Sequence, residues 1–181
     1  MDKFPRKFRK LLDINRIMRK TPNMDKLKVE LINSKMKGNS LVATKKIKRK
    51  EIIAYYKVTV FDFEEYDSPT DNIYTFNVYD KKGYTMDELI ADIDEESFPK
   101  PINNITFWAP FANEPSLTEE ANSEMDYNIK YNYKNIKRKK AKPGDVMIYK
   151  LIATKNINPG DEIMWYYGKD YIRDYEVNPN D

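Results

Sequence analysis

The sequence predicts a mainly β chain of the α+β class with one short helix near its N-terminus. Three observations carry that expectation. Short runs of strand character, Lys26–Ser34, Leu41–Tyr56, Ser123–Asn135 and Asp145–Thr154, are separated by turn-forming residues. Helical spacing of apolar residues is sustained mainly over residues 4–20. Finally, residues 43–56 (ATKKIKRKEIIAYY) are echoed by 153–166 (ATKNINPGDEIMWY), with six identities in fourteen at an offset of 110. Both copies read as strand, turn and strand ending in aromatics. Stacked repeats need three or more units, so one echo predicts two related hairpins at opposite ends of a single β-rich domain.

Composition narrows the function classes. A chain of 181 residues, 40% hydrophobic and 34% charged, has room for one real core. Its longest apolar runs are only a few residues, so no membrane span is expected. The start MDKFPRKFRK lacks an apolar signal core, so the expected location is intracellular, in nucleus or cytoplasm, and not secreted. With no cysteine there are no disulfides or thiolate zinc sites. With no histidine, Ser-His-Asp and Cys-His nucleophiles, HExxH metal sites and imidazole acid–base work are excluded together. Proton chemistry falls to Tyr, Lys, Asp, Glu or water, and there are 14 tyrosines. The net charge of +3 hides a split: residues 1–50 carry 17 Lys/Arg against 4 Asp/Glu, and residues 51–181 carry 15 against 25. Two surfaces with different partners follow from that asymmetry.

In order, residues 4–20 place Phe4, Phe8, Leu11, Leu12 and Ile14 at helical intervals between basic residues, until Thr21-Pro22-Asn23 ends the segment. Such a helix either docks on phosphates or a partner, or packs its apolar stripe on the main domain. Lys26–Ser34 reads as a strand, Lys37-Gly38-Asn39-Ser40 as a turn, and Leu41–Tyr56 as strand broken by the basic knot Lys45–Lys50. That knot is solvated surface or a phosphate patch. Residues 62–100 are acidic, and Thr85–Ser97 begins like a capped short helix, with Thr85 and Glu88 in capping-box spacing. The acidic residues serve solubility or line a groove for a cationic substrate. Thr106–Asn122 holds Pro110 and Pro115 around Phe111–Glu114 and reads as a buried loop. Such a loop must satisfy its backbone with side chains or a ligand, and Asn113 and Asn122 have the amides for that.

The stretch Ile157–Tyr171 opens on a Pro159-Gly160 turn, carries Trp165, Tyr166 and Tyr167 in succession, and breaks at Gly168. On residues alone it is either a hairpin ending in core aromatics or backbone brought close to a ligand. After Tyr175 an acidic tail follows.

Three pieces, in this order, resemble the SET-domain protein lysine methyltransferases. Lys37–Thr44 (KGNSLVAT), followed by Ile47 and Glu51-Ile52-Ile53, is similar to the family's opening G-x-G strand pair. Phe111-Ala112-Asn113-Glu114-Pro115 with Ala121-Asn122 is similar to its F-I-N-H…P-N loop. Leu151–Gly168 is similar to its C-terminal motif ending in Y-G, and is the most specific of the three. In form the chain resembles the compact, zinc-free SET proteins of large DNA viruses and some microbes.

The resemblance implies a SET-domain β fold with a pseudoknot-like C-terminal arrangement. It divides the chain into a basic N-terminal extension (1–35), a SET domain (36–171) with an acidic insert at about 62–100, and a C-terminal tail (172–181). It implies transfer of a methyl group from S-adenosyl-L-methionine to a lysine of a basic protein such as a histone, with no metal. Lys37, Gly38, Asn39, Ser40 and Leu41 would line the cofactor, Asn113 would hold its amino-acid end, and the Glu114 backbone its adenine. Asn122 would tie the loop. Tyr167 takes the catalytic position at the cofactor, and Trp165 and Tyr171 line the substrate channel. Departures from the family pattern are Ser40 for the second glycine, which strains the loop if φ is positive there, Glu114 for histidine, and Trp165 for Tyr or Phe. A catalytically inactive SET-fold peptide- or chromatin-binding module and a basic nucleic-acid-binding protein are the alternative readings. Docking on nucleic acid or a nucleosome, and a homodimer, stay open.

Overall fold

Asp13 starts the first helix. Its carboxylate accepts a hydrogen bond from the Arg16 amide (3.2 Å) and caps α1, Ile14–Arg19. The computed structural model describes residues 12–34, 37–68, 73–80, 84–126, 141–169 and 171–177. Within α1, Ile14 and Ile17 lie on one face and are buried in the core, so the described part of the basic helix packs on the domain. Phe4, Phe8 and Leu11 lie outside the described residues.

Strand β1 (Val29–Ser34) pairs antiparallel with β2 (Gly38–Ala43), with Leu31 opposite Leu41. The turn expected at 37–40 is therefore corrected: Gly38 is already the partner of Ser34, and residues 38–43 are strand. Polar turn formers were a local signal, and pairing with β1 overrides it. The larger sheet is built on β3 (Ile52–Asp62), whose Tyr56, Val58 and Val60 alternate inward. Its neighbours are β7 (Val146–Ala153) on one side and β5 (Thr85–Asp92) on the other, with β4 (Phe76–Tyr79) and β6 (Ser123–Asp126) at the edges. All pairings are antiparallel, with Tyr56 opposite Tyr149, Val60 opposite Ala91 and Met125 opposite Leu151. Phe76 packs between Tyr56 and Tyr149, with ring centroids 4.7 Å from each. The mainly β expectation holds; the strand expected over Ser123–Asn135 is present over Ser123–Asp126, with 127–135 outside the described residues. Among the described residues no helix is long and apolar enough to cross a membrane.

The expected helix at 85–97 is a strand. The capping-box spacing of Thr85 and Glu88 is present in the sequence, yet β5 fills the gap between β3 and β4 and buries Met86, Leu89 and Ala91. Ladder hydrogen bonds on both edges outweigh one helix-start signal.

The internal echo has a structural meaning, with one correction. The two hairpins do not sit at opposite ends of the domain; they pair with each other about a local pseudo-twofold axis. Ile47 and Ile157 exchange hydrogen bonds through both backbone groups (3.0 and 2.9 Å). The Gly160 amide donates to Ala43 O (2.7 Å), as Lys50 donates to Ala153 O (2.8 Å). Ala43 donates to Asp161 O, and Ala153 to Glu51 O. Even the turn side chains correspond, since Glu51 accepts from the Lys48 amide and Asp161 from the Asn158 amide. Every one of these pairs is related by the 110-residue offset. Identities were retained where both hairpins need the same residue at the axis, and Ile47 and Ile157 are both fully buried there.

The symmetry exposes one strained position. Gly160 has φ +91° and its counterpart Lys50 has φ +72°, a left-handed conformation that costs a non-glycine residue energy. Lys50 is exposed. Lys50→Gly should therefore raise the unfolding free energy by about 0.5–1 kcal/mol, and Gly160→Ala should lower it by a similar amount or more. Urea denaturation checks both; a destabilised Lys50→Gly variant would refute the strain.

Candidate active site

Segment 161–167 belongs to neither sheet as a strand. It runs between β2 and the loop 112–123 and is hydrogen bonded to both. On one edge the Ala43 amide donates to Asp161 O (2.9 Å) and Ile163 donates to Leu41 O (2.8 Å). On the other, Asn122 and Ser123 both donate to Met164 O (3.1 Å), and Trp165 donates to Asn113 O (3.0 Å). The loop is irregular because Pro110 and Pro115 cannot supply ladder amides, leaving a 3₁₀ turn at Ala109–Phe111. This places the C-terminal segment between two others, as the pseudoknot-like expectation required.

Side-chain amides complete the backbone pairing. Asn122 accepts from the Met164 amide (2.9 Å) and donates to Glu162 O (2.7 Å), as a short strand would. Asn113 Nδ2 reaches Ser40 Oγ and Glu162 Oε1 (2.9 Å each) and Asn39 O (3.3 Å). The Lys37 ammonium lies 2.6 Å from Glu119 and 3.5 Å from Glu162. The bond from Lys37, helped by the Ser116 amide, holds the Glu119 carboxyl down at about 2. Lys37, Asn39, Ser40 and Asn113 are thus brought together, with Glu162 the acceptor shared by Lys37 and Asn113. Leu41 is not part of this polar group: its side chain is fully buried in the core. The strain anticipated at Ser40 is absent, because the positive φ falls on Gly38 (+75°).

Beyond Trp165 the chain builds an aromatic wall. The Tyr167 ring lies 4.8 Å from that of Trp165 and 5.0 Å from that of Tyr171, the latter edge-on. Its hydroxyl donates to Ala112 O (2.8 Å). Burial, then the neighbouring hydroxyls of Tyr74, Tyr175 and Tyr171 and the Glu114 carboxylate, push the Tyr167 phenol well above its usual range. Burial likewise raises Tyr56, next to Tyr74 and Tyr167, and Tyr74 itself. These phenols stay protonated at neutral pH. The Trp165 indole N–H is buried and has no hydrogen-bond partner.

Glu114 carries more than its backbone. Its carboxylate, fully buried, takes a bidentate pair from Arg173 (Nε and Nη2, 2.9 Å each), the Tyr175 hydroxyl (3.1 Å) and the Tyr167 amide (2.8 Å). Gly168 also changes meaning. A Cβ there would meet no atom of the chain within 4 Å, so no packed neighbour demands the glycine, but its φ of +100° does.

Reading the sequence missed Glu162, Arg173, Tyr56 and Tyr74. Glu162 offered a signal, a second acid beside Asp161 in a segment with little other surface charge. Arg173 offered none, since it stands 59 residues from its partner in a stretch taken for tail.

Comparisons with known proteins agree with this geometry. The SET domain family model matches residues 38–168. No curated protein matches the chain. Among solved structures, the ATXR5 SET domain, in complex with histone H3 di-methylated on an arginine, is 16% identical with a TM-score of 0.52, covering 83% of this chain and 61% of that one. The Plasmodium falciparum protein PFL0690c is 18% identical (TM-score 0.47; 80% and 96% covered), and the methyltransferase domain of human PR domain-containing protein 2 is 19% identical (TM-score 0.45; 87% of each). At such identities the structural likeness speaks for the fold. The family match spans most of the chain and takes in β2, the asparagine loop and the Tyr167 segment, and by it this chain belongs to the SET domain family, whose members are protein methyltransferases.

Proposed function

We propose that the chain transfers a methyl group from S-adenosyl-L-methionine to a lysine side chain of a basic protein such as a histone tail. The observation that carries this reading is the Tyr167 hydroxyl, fixed on the Ala112 carbonyl between the rings of Trp165 and Tyr171. The residues present fit the cofactor. Space over the Gly38 Cα is open, so ligand can approach that backbone closely. The Asn113 amide nitrogen is spent on protein acceptors, which turns its carboxamide oxygen to the role of acceptor for an ammonium group. Residues Lys37–Ser40, Asn113 and the Glu114 backbone would hold it, and its sulfonium supplies an electrophilic methyl group.

The remaining work falls to this chain's own side chains. Aromatic walls take the incoming lysine out of water, which lowers its pKa and favours the neutral, nucleophilic amine. They also tolerate the cationic product through their ring faces. Tyr167 stays protonated and does not accept the amine proton; it gives its own to Ala112 O and presents its oxygen lone pairs to the site. Its contribution is alignment of amine and methyl donor, where small displacements are costly. A basic peptide suits the exposed acids Glu64, Glu65, Asp87 and Glu88, whose segments flank Tyr74. The histone H3 bound to the ATXR5 SET domain supports the same substrate class. With no strain at Ser40, that departure from the family pattern lends no support to an inactive binding module.

Three outcomes are expected. Labelled cofactor should pass its methyl group to histones, and Tyr167→Phe should cut that rate about 100-fold; transfer by the wild type with no loss in the variant would remove Tyr167 from its role. Calorimetry should register S-adenosyl-L-methionine binding to the wild type, whereas no detectable heat would favour the inactive module. Finally, the raised tyrosine pKa values have a linkage consequence. Between the unfolded value of about 10 and the higher folded values, the unfolded chain holds fewer protons. Unfolding free energy should thus be flat up to about pH 9.5 and fall as pH rises further, and urea titrations from pH 8 to 11 showing no decline would contradict the buried phenols.

A further inference from the structure

The described residues of 168–175 contain no strand or helix and bury little of their own. Ile172 is 95% exposed and Tyr175 48% exposed, so apolar burial does not hold this stretch in place. What holds it is charge. Arg173 makes the two bonds to Glu114 and a third, 2.7 Å, to Gly168 O, and its guanidinium lies 5.2 Å from the Tyr171 ring centroid and 5.5 Å from that of Tyr166. The Tyr171 amide closes the same turn on Gly168 O (3.4 Å). Tyr175 returns to Glu114 from the far side. One buried carboxylate therefore fixes the Tyr167 amide directly and fixes Tyr171 through a single arginine.

We propose that the Glu114–Arg173 pair is the positioning device that closes the substrate-facing wall of the channel, locking residues 168–175 so that Tyr171 stands edge-on against Tyr167. The inference rests on the methyl-transfer reading for its kinetic part and on geometry alone for its structural part. A carboxylate this deeply buried is costly unless paired, and removing either partner strands the other. The pair is bidentate and planar, a geometry that lysine cannot reproduce. Asn113 and Glu162, which serve the cofactor side, make no hydrogen bond or ion pair with Arg173; Glu114 meets the cofactor side through its backbone alone, and the latch acts through its carboxylate.

The test uses the full chain with Arg173→Ala, Arg173→Lys and Glu114→Gln. Amide hydrogen exchange is read at residues 167–175 and at β7, cofactor affinity by calorimetry, and kinetics with a histone-tail peptide. In Arg173→Ala, protection at the Tyr171 amide should be lost while the Tyr167 amide, bonded directly to Glu114, and β7 stay protected, the peptide KM should rise at least ~10-fold, and cofactor affinity should stay within about twofold. Arg173→Lys should recover part of the KM, and Glu114→Gln, which keeps an acceptor for the Tyr167 amide, should loosen residues 168–175 while sparing Tyr167. Unchanged exchange in Arg173→Ala overturns the latch, and so does an equal fall in peptide and cofactor affinity with loss of β7 protection. Should the wild type transfer no methyl group at all, the functional reading falls while the exchange data still decide the latch.

Discussion

An extended segment presents hydrogen-bonding groups on both edges, and at residues 161–165 neither edge can be left to water. Strand β2 satisfies one edge with ordinary backbone pairing. The other faces a loop whose prolines deny it a regular ladder; the Asn122 side chain makes up the deficit, and the Asn113 carbonyl accepts from Trp165. Asn122 imitates a strand residue, donating to one carbonyl and accepting from one amide of the same segment. Everything in the site hangs on this double pairing. A slip of one residue would turn Trp165 and Tyr167 to the opposite face and carry the Tyr167 hydroxyl away from Ala112.

The pseudo-twofold hairpins fix that register from upstream. Segment 161–165 follows directly from the second hairpin, whose turn is bonded to Ala43 at the start of the first. Because Ile47 and Ile157 clasp each other through both backbone groups, the position of Asp161 against β2 is set before the chain reaches the site. The core residues that look least functional, two buried isoleucines and two alanines, are thus the ones that place the catalytic candidate. Polar residues then refine what the hairpins establish.

How much of this was legible follows from the range of each interaction. The echo could be read because symmetric pairing demands the same residue twice, and Ala43, Ile47 and their copies are those residues. The asparagine loop could be read because backbone between two prolines has a debt that only side-chain amides nearby can settle. Strand β5 was misread because Thr85 and Glu88 speak only for their own turn, whereas the strand is decided by β3 and β4, more than twenty residues away in the case of β3. Gly38 was assigned to a turn for the same reason. Glu114 and Arg173 lay beyond reach altogether. Neither residue announces a partner, and only the folded chain brings the tail segment back over the loop.

Two opposite electrostatic solutions meet at this site. The phenols of Tyr56, Tyr74 and Tyr167 are kept neutral by burial, so they cost nothing in unpaired charge and would serve as fixed dipoles beside the amine of the proposed reaction. Glu114, a few ångströms from the same hydroxyl cluster, is instead kept as an ion pair: burial opposes the charge on Arg173, and the Glu114 hydrogen bonds outweigh it. A neutral lysine entering the channel needs a low-dielectric wall without free charge, and a carboxylate left open there would favour the ammonium form that cannot attack. By saturating Glu114 with four donors, the fold withdraws that charge from the channel and spends it on holding the wall. In the proposed reaction, the same pair that restrains the C-terminal turn would therefore also protect the nucleophile's neutral state, so that its loss would be felt at the substrate before it is felt at the cofactor.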